Sequence, residues 1–220
     1  MKANRAGIVL AGGMGTRLPA GPPKALRPFG GSSLLERALA LLEPRTERLF
    51  VAVPHSFPLP PDAERFERVD DLTYGEGPLA GLVPALERAA QMRADVAWVI
   101  PTDLPFLTGE HLDALAYLLD PPDGPLVTLS VVPPAAVVPR TMRGIEPLIG
   151  AYRPVYAAPV LRAAWNRGER SPQRALVDLG GRIRYIDAER DEAWPGGVDS
   201  LTGVNTQEEW DRAIERLRPA

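Results

Sequence analysis

The 220-residue chain contains no cysteine. This absence excludes disulfide bonds, thiolate zinc sites and cysteine nucleophiles. Lysine is almost as rare, since Lys2 and Lys24 are the only two lysines in a chain whose other basic residues are arginines. Because arginine supplies the general positive charge here, Lys24 indicates a position that needs a compact ammonium group.

The sequence also lacks an excess of positive charge and any long apolar run. Its formal net charge is -3 at pH 7, which argues against attraction to nucleic acid and favours a small-molecule partner. No segment approaches the roughly 20 apolar residues of a membrane span, and the amino terminus has no signal-peptide core. We therefore expect a cytoplasmic protein without a nucleic-acid or membrane partner.

Apolar segments with alternating strand-like and helix-like spacing predict an α/β fold. The expected strands span residues 7–10, 48–53, 96–100, 126–132, 145–152 and 182–186. The expected helices span residues 33–42, with Ser32 or Ser33 as the cap, 79–92, 108–119, 155–167, 171–179 and 206–217. Residues 133–143 are interpreted as a polar, proline-rich stretch between strands. The alternation implies a mainly parallel sheet covered on both faces, in one domain over residues 1–220.

Residues 8–24 read IVLAGGMGTRLPAGPPK, a strand-like run followed by a glycine-rich turn and a lysine. Arg17 can bind phosphate oxygens through its forked guanidinium group, and Lys24 can neutralise a leaving pyrophosphate. The spacing matches neither GxGxxG nor GxxxxGK[ST], which disfavours a dinucleotide fold and a P-loop. A glycine-rich turn with no ligand is an equally good interpretation of this segment alone. The glycines that would let the backbone approach phosphates are Gly12, Gly13 and Gly15.

An acidic residue follows the third expected strand, in the segment VIPTDLPFLT at residues 99–108. Asp103 is suited there to hold a divalent metal that bridges triphosphate oxygens, since Mg²⁺ is commonly bound by one or two carboxylates together with phosphates. Capping of the turn is the alternative role for an isolated aspartate at such a position. The glycine loop at the same edge of the sheet favours the metal-binding role.

A second acidic motif, Asp70 and Asp71, precedes GEGPLAGL at residues 75–82. Gly77 and Gly81 can let the start of a helix approach a base or ribose, and one aspartate can accept hydrogen bonds from those groups. A helix amino terminus with upstream acidic residues and small packing residues is the alternative interpretation.

These motifs occur in one order along the chain: LAGGMGTRL with Lys24, GPLAGL, PTDLPFL, EPLIGAY and GVNTQEEW. Together they resemble the molybdenum cofactor guanylyltransferases, or MobA-like nucleotidyltransferases, over nearly the full chain. The resemblance implies a Rossmann-like, three-layer nucleotidyltransferase fold. It also implies transfer of GMP from GTP to molybdopterin with Mg²⁺ as cofactor and pyrophosphate as product. Other proteins of molybdenum cofactor biosynthesis, or proteins that accept the cofactor, are the implied partners.

The resemblance also assigns roles to residues of this chain. It implies that Asp103 binds Mg²⁺, and that Asp71, in preference to Asp70, contacts the nucleotide. Lys24, Arg17 and Asp103 are the residues expected to carry catalysis. The residues implied to bind the triphosphate are Leu10, Ala11, Gly12, Gly13, Arg17 and Lys24.

The chain departs from the family pattern at two places. The segment between Arg17 and Lys24 is two residues longer than the family's and lacks the acidic neighbour of the lysine. Gly203 replaces the first asparagine of the family's Asn-x-Asn-Thr motif, of which the chain keeps Asn205 and Thr206, and Asn205 is the candidate acceptor or metal residue. The segment GGMGTRL with PKALRPFG also resembles sugar-1-phosphate nucleotidyltransferases. A molybdopterin cytidylyltransferase that uses CTP and a catalytically inactive nucleotide-binding module are consistent with the sequence as well.

Overall fold

The computed structural model describes residues 4–13, 15, 17–121 and 132–217. The helices are α1 (Leu34–Leu42), α2 (Leu79–Gln91), α3 (Gly109–Leu119), α4 (Pro154–Asn166), α5 (Pro172–Val177) and α6 (Gln207–Arg216). The strands are β1 (Arg5–Leu10), β2 (Pro28–Phe29), β3 (Ser32–Ser33), β4 (Arg48–Val53), β5 (Glu67–Asp70), β6 (Val96–Pro101), β7 (Ala136–Thr141), β8 (Gly144–Ile145), β9 (Gly150–Tyr152) and β10 (Ile183–Asp187).

The main sheet has the order β10-β7-β9-β6-β1-β4-β5, and β8 pairs with β7 outside this path. Strand β1 lies parallel to both β4 and β6, and β5 lies parallel to β4. Strand β9 is antiparallel to both β6 and β7, so β7 runs in the same direction as β6. The predicted α/β fold with a mainly parallel sheet is therefore confirmed. The carboxyl ends of β1, β4, β5, β6 and β7 all lie at one edge.

Helices cover both faces of the sheet because successive strand side chains point to opposite sides. Ile8 and Leu10 of β1 pack in a core with α2 and α4. Val9 and Ala11 pack on the opposite face with α1 and α3. The apolar β1 run is buried on both faces, which explains its lack of polar alternation. This arrangement confirms the three-layer architecture.

Local capping signals position two helices. Ser33 caps α1, and its hydroxyl accepts a hydrogen bond of 3.1 Å from the backbone N–H of Glu36, so Ser33 rather than Ser32 is the cap. Thr206 and Glu209 form the corresponding capping box at the start of α6. A cap of this type satisfies backbone donors that the first helical turn leaves unpaired.

Three sequence predictions need correction or fall outside the described residues. Residues 136–141, predicted to lie in a polar stretch, form the largely buried strand β7, in which an Ala-Val-Val run precedes Pro139. The single strand predicted over 145–152 is two short strands, β8 and β9, separated by a turn. The strand predicted over 126–132 lies outside the described residues apart from Val132, which is not in a strand.

Among the described residues, no helix combines the length and the apolar character needed to cross a membrane.

Candidate active site

A cavity of about 510 Å³ opens at the edge where the parallel strands end. Its size is typical of small-molecule sites, and its position beyond the carboxyl ends of the strands is where α/β sheets bind ligands. Nearly all of the predicted site residues line it: Leu10, Gly12, Gly13, Gly15, Arg17, Lys24, Asp71, Gly77, Gly81, Asp103 and Asn205.

Ala11 is the predicted residue that does not line this cavity. Its side chain is buried in the core shared with α1 and α3. Its backbone N–H donates a 2.9 Å hydrogen bond to the carbonyl of Ala52 in β4. Because this donor is engaged in the sheet, Ala11 does not offer its amide to a ligand.

The glycine loop lies directly against the stem of Lys24. Gly15 has φ +60°, in the left-handed region that disfavours other residues, and a Cβ there would lie 2.9 Å from the Cβ of Lys24. A Cβ at Gly13 would lie 4.0 Å from the Lys24 Cε. The glycines therefore let the loop backbone approach the lysine stem.

Lys24, Asp103 and Asn205 form one contact group on the cavity wall. The Lys24 Nζ donates to Asp103 Oδ2 at 2.8 Å and to Asn205 Oδ1, also at 2.8 Å. The Lys24 side chain is 8% exposed and that of Asp103 is 26% exposed. Asp103 follows β6, and its backbone carbonyl accepts a 3.0 Å hydrogen bond from Val204, which holds the segment of Asn205 beside it.

Gly203 allows this position of Asn205. A Cβ at residue 203 would lie 2.8 Å from the Asn205 Nδ2, which is closer than side chains approach. An asparagine at this position, as the family motif has it, would require the Asn205 side chain to shift. The departure from the family pattern is thus linked to the contact between Asn205 and Lys24.

Asp71 lies on another wall of the cavity, between two glycines. A Cβ at Gly12 would lie 2.9 Å from Asp71 Oδ2, and a Cβ at Gly81 would lie 2.7 Å from Asp71 Oδ1. Among the residues that the structure describes, the Asp71 carboxylate has no hydrogen-bond partner. Burial, together with the neighbouring charge of Asp70, raises the pKa of Asp71 to about 6.

Asp70 has a different environment, although it is adjacent in sequence. It is exposed, accepts from Arg68 at 2.6 Å and contacts His55 at 2.8 Å. The hydrogen bonds from His55 and Arg68 hold its pKa below the usual value. Asp71, not Asp70, is therefore the aspartate that faces the cavity.

Two acidic residues near the cavity were assigned no role in the sequence analysis. Burial, followed by the negative charge of Asp103, raises the pKa of Glu146, which places its carboxyl within electrostatic range of Asp103. Glu209 accepts from the backbone N–H of Asn205 at 2.7 Å. This hydrogen bond is the main reason that its pKa is lowered, and the charge of Arg17 contributes. The sequence signal for Glu146 is its place in EPLIGAY, just after β8 at the same sheet edge.

The donor set around Lys24 fits a magnesium ion. Asp103 and Asn205 present two oxygen atoms to one cation position, and oxygen donors are the ligands that Mg²⁺ prefers. No group of three or more histidines or acidic residues suited to a metal is found within the described ranges. The arrangement therefore suits a metal that draws its remaining ligands from phosphates and water.

Residues 7–181 match the family model described as the MobA-like NTP transferase domain. The chain belongs to this family. It is accordingly a nucleotidyltransferase, as the glycine loop, Lys24 and Asp103 around one cavity suggest.

Two curated relatives cover nearly the whole chain. The molybdenum cofactor guanylyltransferase of Pseudomonas syringae pv. syringae (strain B728a) is 33% identical over 207 residues, which cover 90% of this chain and 88% of that protein. The probable molybdenum cofactor guanylyltransferase of Bacillus cereus (strain ATCC 10987 / NRS 248) is 30% identical over 217 residues and 96% of each chain.

Solved structures share the fold of this MobA-like protein. Molybdopterin-guanine dinucleotide biosynthesis protein A from Archaeoglobus fulgidus superposes with a TM-score of 0.68 at 24% identity, over 96% of this chain and 97% of that chain. The 2-C-methyl-D-erythritol 4-phosphate cytidylyltransferase from Thermus thermophilus superposes with a TM-score of 0.63 at 16% identity, over 96% of this chain and 98% of that chain. At these identities the likeness establishes the fold alone.

Proposed function

We propose that this MobA-like nucleotidyltransferase transfers GMP from GTP to molybdopterin and releases pyrophosphate. The observation that carries the proposal is the group formed by Lys24, Asp103 and Asn205, which shares one cavity with the glycine loop and Asp71. The names of the full-length relatives support guanine as the base and the molybdenum cofactor as the acceptor.

The nucleotide would lie across the cavity from Asp71 to Lys24. Gly81 lies beside Asp71, and Gly77, with φ +87°, lines the same cavity, so neither residue puts a side chain in the way of a base or ribose. The triphosphate would follow the glycine loop toward Arg17 and Lys24, whose positive charges it needs. Both ends of this path line the same cavity.

The protein's task in this reaction is to position the phosphates and neutralise their charge. An oxygen of the acceptor phosphate forms a bond to the α-phosphorus, and the bond from that phosphorus to the oxygen bridging to the β-phosphate breaks. The attacking oxygen is already anionic at neutral pH, so no protein base is required. Arg17 and Lys24 lower the repulsion between anions, and Asp103 with Asn205 would hold Mg²⁺, which supplies further positive charge to the phosphates.

Pyrophosphate release tests the proposal directly. The protein would be incubated with Mg²⁺ and each of the four ribonucleoside triphosphates, with and without molybdopterin or a panel of sugar 1-phosphates. We expect release that requires both GTP and molybdopterin. Release with CTP and molybdopterin would overturn the guanine assignment, and release with a sugar phosphate would overturn the acceptor assignment. Nucleotide binding with no release would indicate a binding module.

A further inference from the structure

We infer that Lys24 and a divalent cation compete for the same two oxygen atoms, those of Asp103 and Asn205. A metal would then bind this site firmly only when a triphosphate draws Lys24 away. The inference rests on the proposed function for the identity of that triphosphate, GTP. The competition itself depends only on the three side chains.

The geometry places one cation between two oxygen ligands. The Lys24 Nζ is 2.8 Å from Asp103 Oδ2 and 2.8 Å from Asn205 Oδ1, and its side chain is 8% exposed. An ammonium group in this position occupies the space that a metal bound by both oxygens would need, because Mg²⁺ binds its ligands at about 2.0–2.1 Å. The two cations therefore exclude each other sterically.

Charge opposes their joint binding as well. Asp103 is the charged oxygen ligand of the contact group and Asn205 is neutral, so one carboxylate would have to balance both the ammonium of Lys24 and an added divalent ion. A triphosphate supplies several further negative charges. It can accept Lys24 on one set of oxygens and the metal on another, which removes the competition.

The loop gives Lys24 a route between the two positions. The lysine stem runs beside Gly13 and Gly15, neither of which carries a side chain that would block it. Lys24 and both glycines line the same cavity. Rotation of the flexible stem can therefore move the ammonium from Asp103 toward phosphates bound along the loop.

Manganese binding to the full chain without nucleotide tests the inference, because Mn²⁺ replaces Mg²⁺ at oxygen sites and its free form is quantified by electron paramagnetic resonance. Lys24→Met keeps the length of the stem and removes the charge. We expect this variant to bind Mn²⁺ at least about tenfold more tightly than the natural protein. An unchanged or weaker affinity in a folded Lys24→Met protein would overturn the inference.

Three controls separate competition from other effects. Arg190→Met removes an equal charge from an exposed residue outside the cavity and should leave the Mn²⁺ affinity unchanged; a gain equal to that of Lys24→Met would overturn the inference. The double variant Lys24→Met with Asp103→Asn should lose the gain in Mn²⁺ affinity. If the double variant keeps that gain, the metal binds elsewhere and the inference is overturned. If Lys24→Met does not fold, Lys24→Gln gives the same comparison.

A GTP analogue with a methylene group between the α and β phosphorus atoms tests the role of the triphosphate. It should raise the Mn²⁺ affinity of the natural protein by a larger factor than that of Lys24→Met. Equal increases in the two proteins would overturn the inference that the triphosphate draws Lys24 away from the metal site. If the natural protein fails the pyrophosphate assay while Lys24→Met binds Mn²⁺ more tightly than it does, the proposed function is overturned and this inference stands. Normal turnover by the natural protein, with no gain in Mn²⁺ affinity in Lys24→Met, would support the proposed function and overturn this inference.

Discussion

Replacement of Asp71 with asparagine should stabilise the fold at neutral pH, because the natural side chain is a carboxylate held where its charge is disfavoured. Its pKa is raised from 3.8 to about 6, chiefly by burial and then by the charge of Asp70. A rise of about two units corresponds to about 3 kcal/mol, at 1.36 kcal/mol per unit. Residual solvent at the half-buried site screens part of this energy, so we expect the substitution to raise the free energy of unfolding by about 1–3 kcal/mol.

The direction of the pH dependence of stability follows from proton binding to Asp71. Between about pH 4 and pH 6 the folded protein keeps the Asp71 proton that the unfolded chain has released, so the free energy of unfolding falls as pH rises through this window. Above about pH 6 the folded and unfolded states have both lost the proton, so the destabilisation caused by the charged Asp71 stays constant. Asp71→Asn removes this dependence. The variant should match the natural protein near pH 4 and exceed its stability at pH 7.5.

Thermal and urea denaturation at pH 4, 5, 6 and 7.5 measure the effect. For a chain of this size the expected gain raises Tm at pH 7.5 by roughly 2–12 °C. Asp70→Asn is the matched control, because the hydrogen bonds of Asp70 with His55 and Arg68 lower its pKa and stabilise the charged form. That variant should lose stability at pH 7.5. An Asp71→Asn protein with no gain between pH 4 and pH 7.5 would refute the reasoning about Asp71.

Three further predictions concern the proposed reaction. Lys24→Ala should lower turnover about a hundredfold or more, the scale of losing a preorganised charge stabiliser, and near-normal turnover would remove Lys24 from the mechanism. Asp103→Asn should abolish metal-dependent turnover, whereas Asp113→Asn, a control at a largely exposed aspartate, should keep it; an unchanged Mg²⁺ dependence of Asp103→Asn would contradict the ligand assignment. Gly81→Ala would place a Cβ 2.7 Å from Asp71 Oδ1, and it should weaken GTP binding about tenfold as measured by calorimetry, whereas unchanged affinity would argue against Asp71 as a nucleotide contact.

The placement of the cavity could be predicted from local sequence. Apolar runs predicted β1, β4 and β6, and the serines at 32 and 33 predicted the start of α1, because burial and capping depend on residues close in the chain. Once those strands are parallel, the glycine loop and Asp103 must meet at the edge where the strands end. The sequence prediction failed at β7, whose proline and flanking polar residues obscured a short buried run. It also missed β5 (Glu67–Asp70), which has partly exposed polar residues and no apolar run.

The sequence by itself determined the α/β class, the family resemblance and the presence of phosphate-binding residue types at strand ends, since these follow from residue type and spacing. Only the tertiary structure decided that Lys24 contacts Asp103, 79 residues away, and Asn205, 181 residues away. It also places Asp71, which the family resemblance favoured over Asp70, on the cavity wall, and it shows that Gly203 leaves room for Asn205. Contacts of this kind depend on which strand ends are neighbours and on which way a side chain turns, and local spacing determines neither.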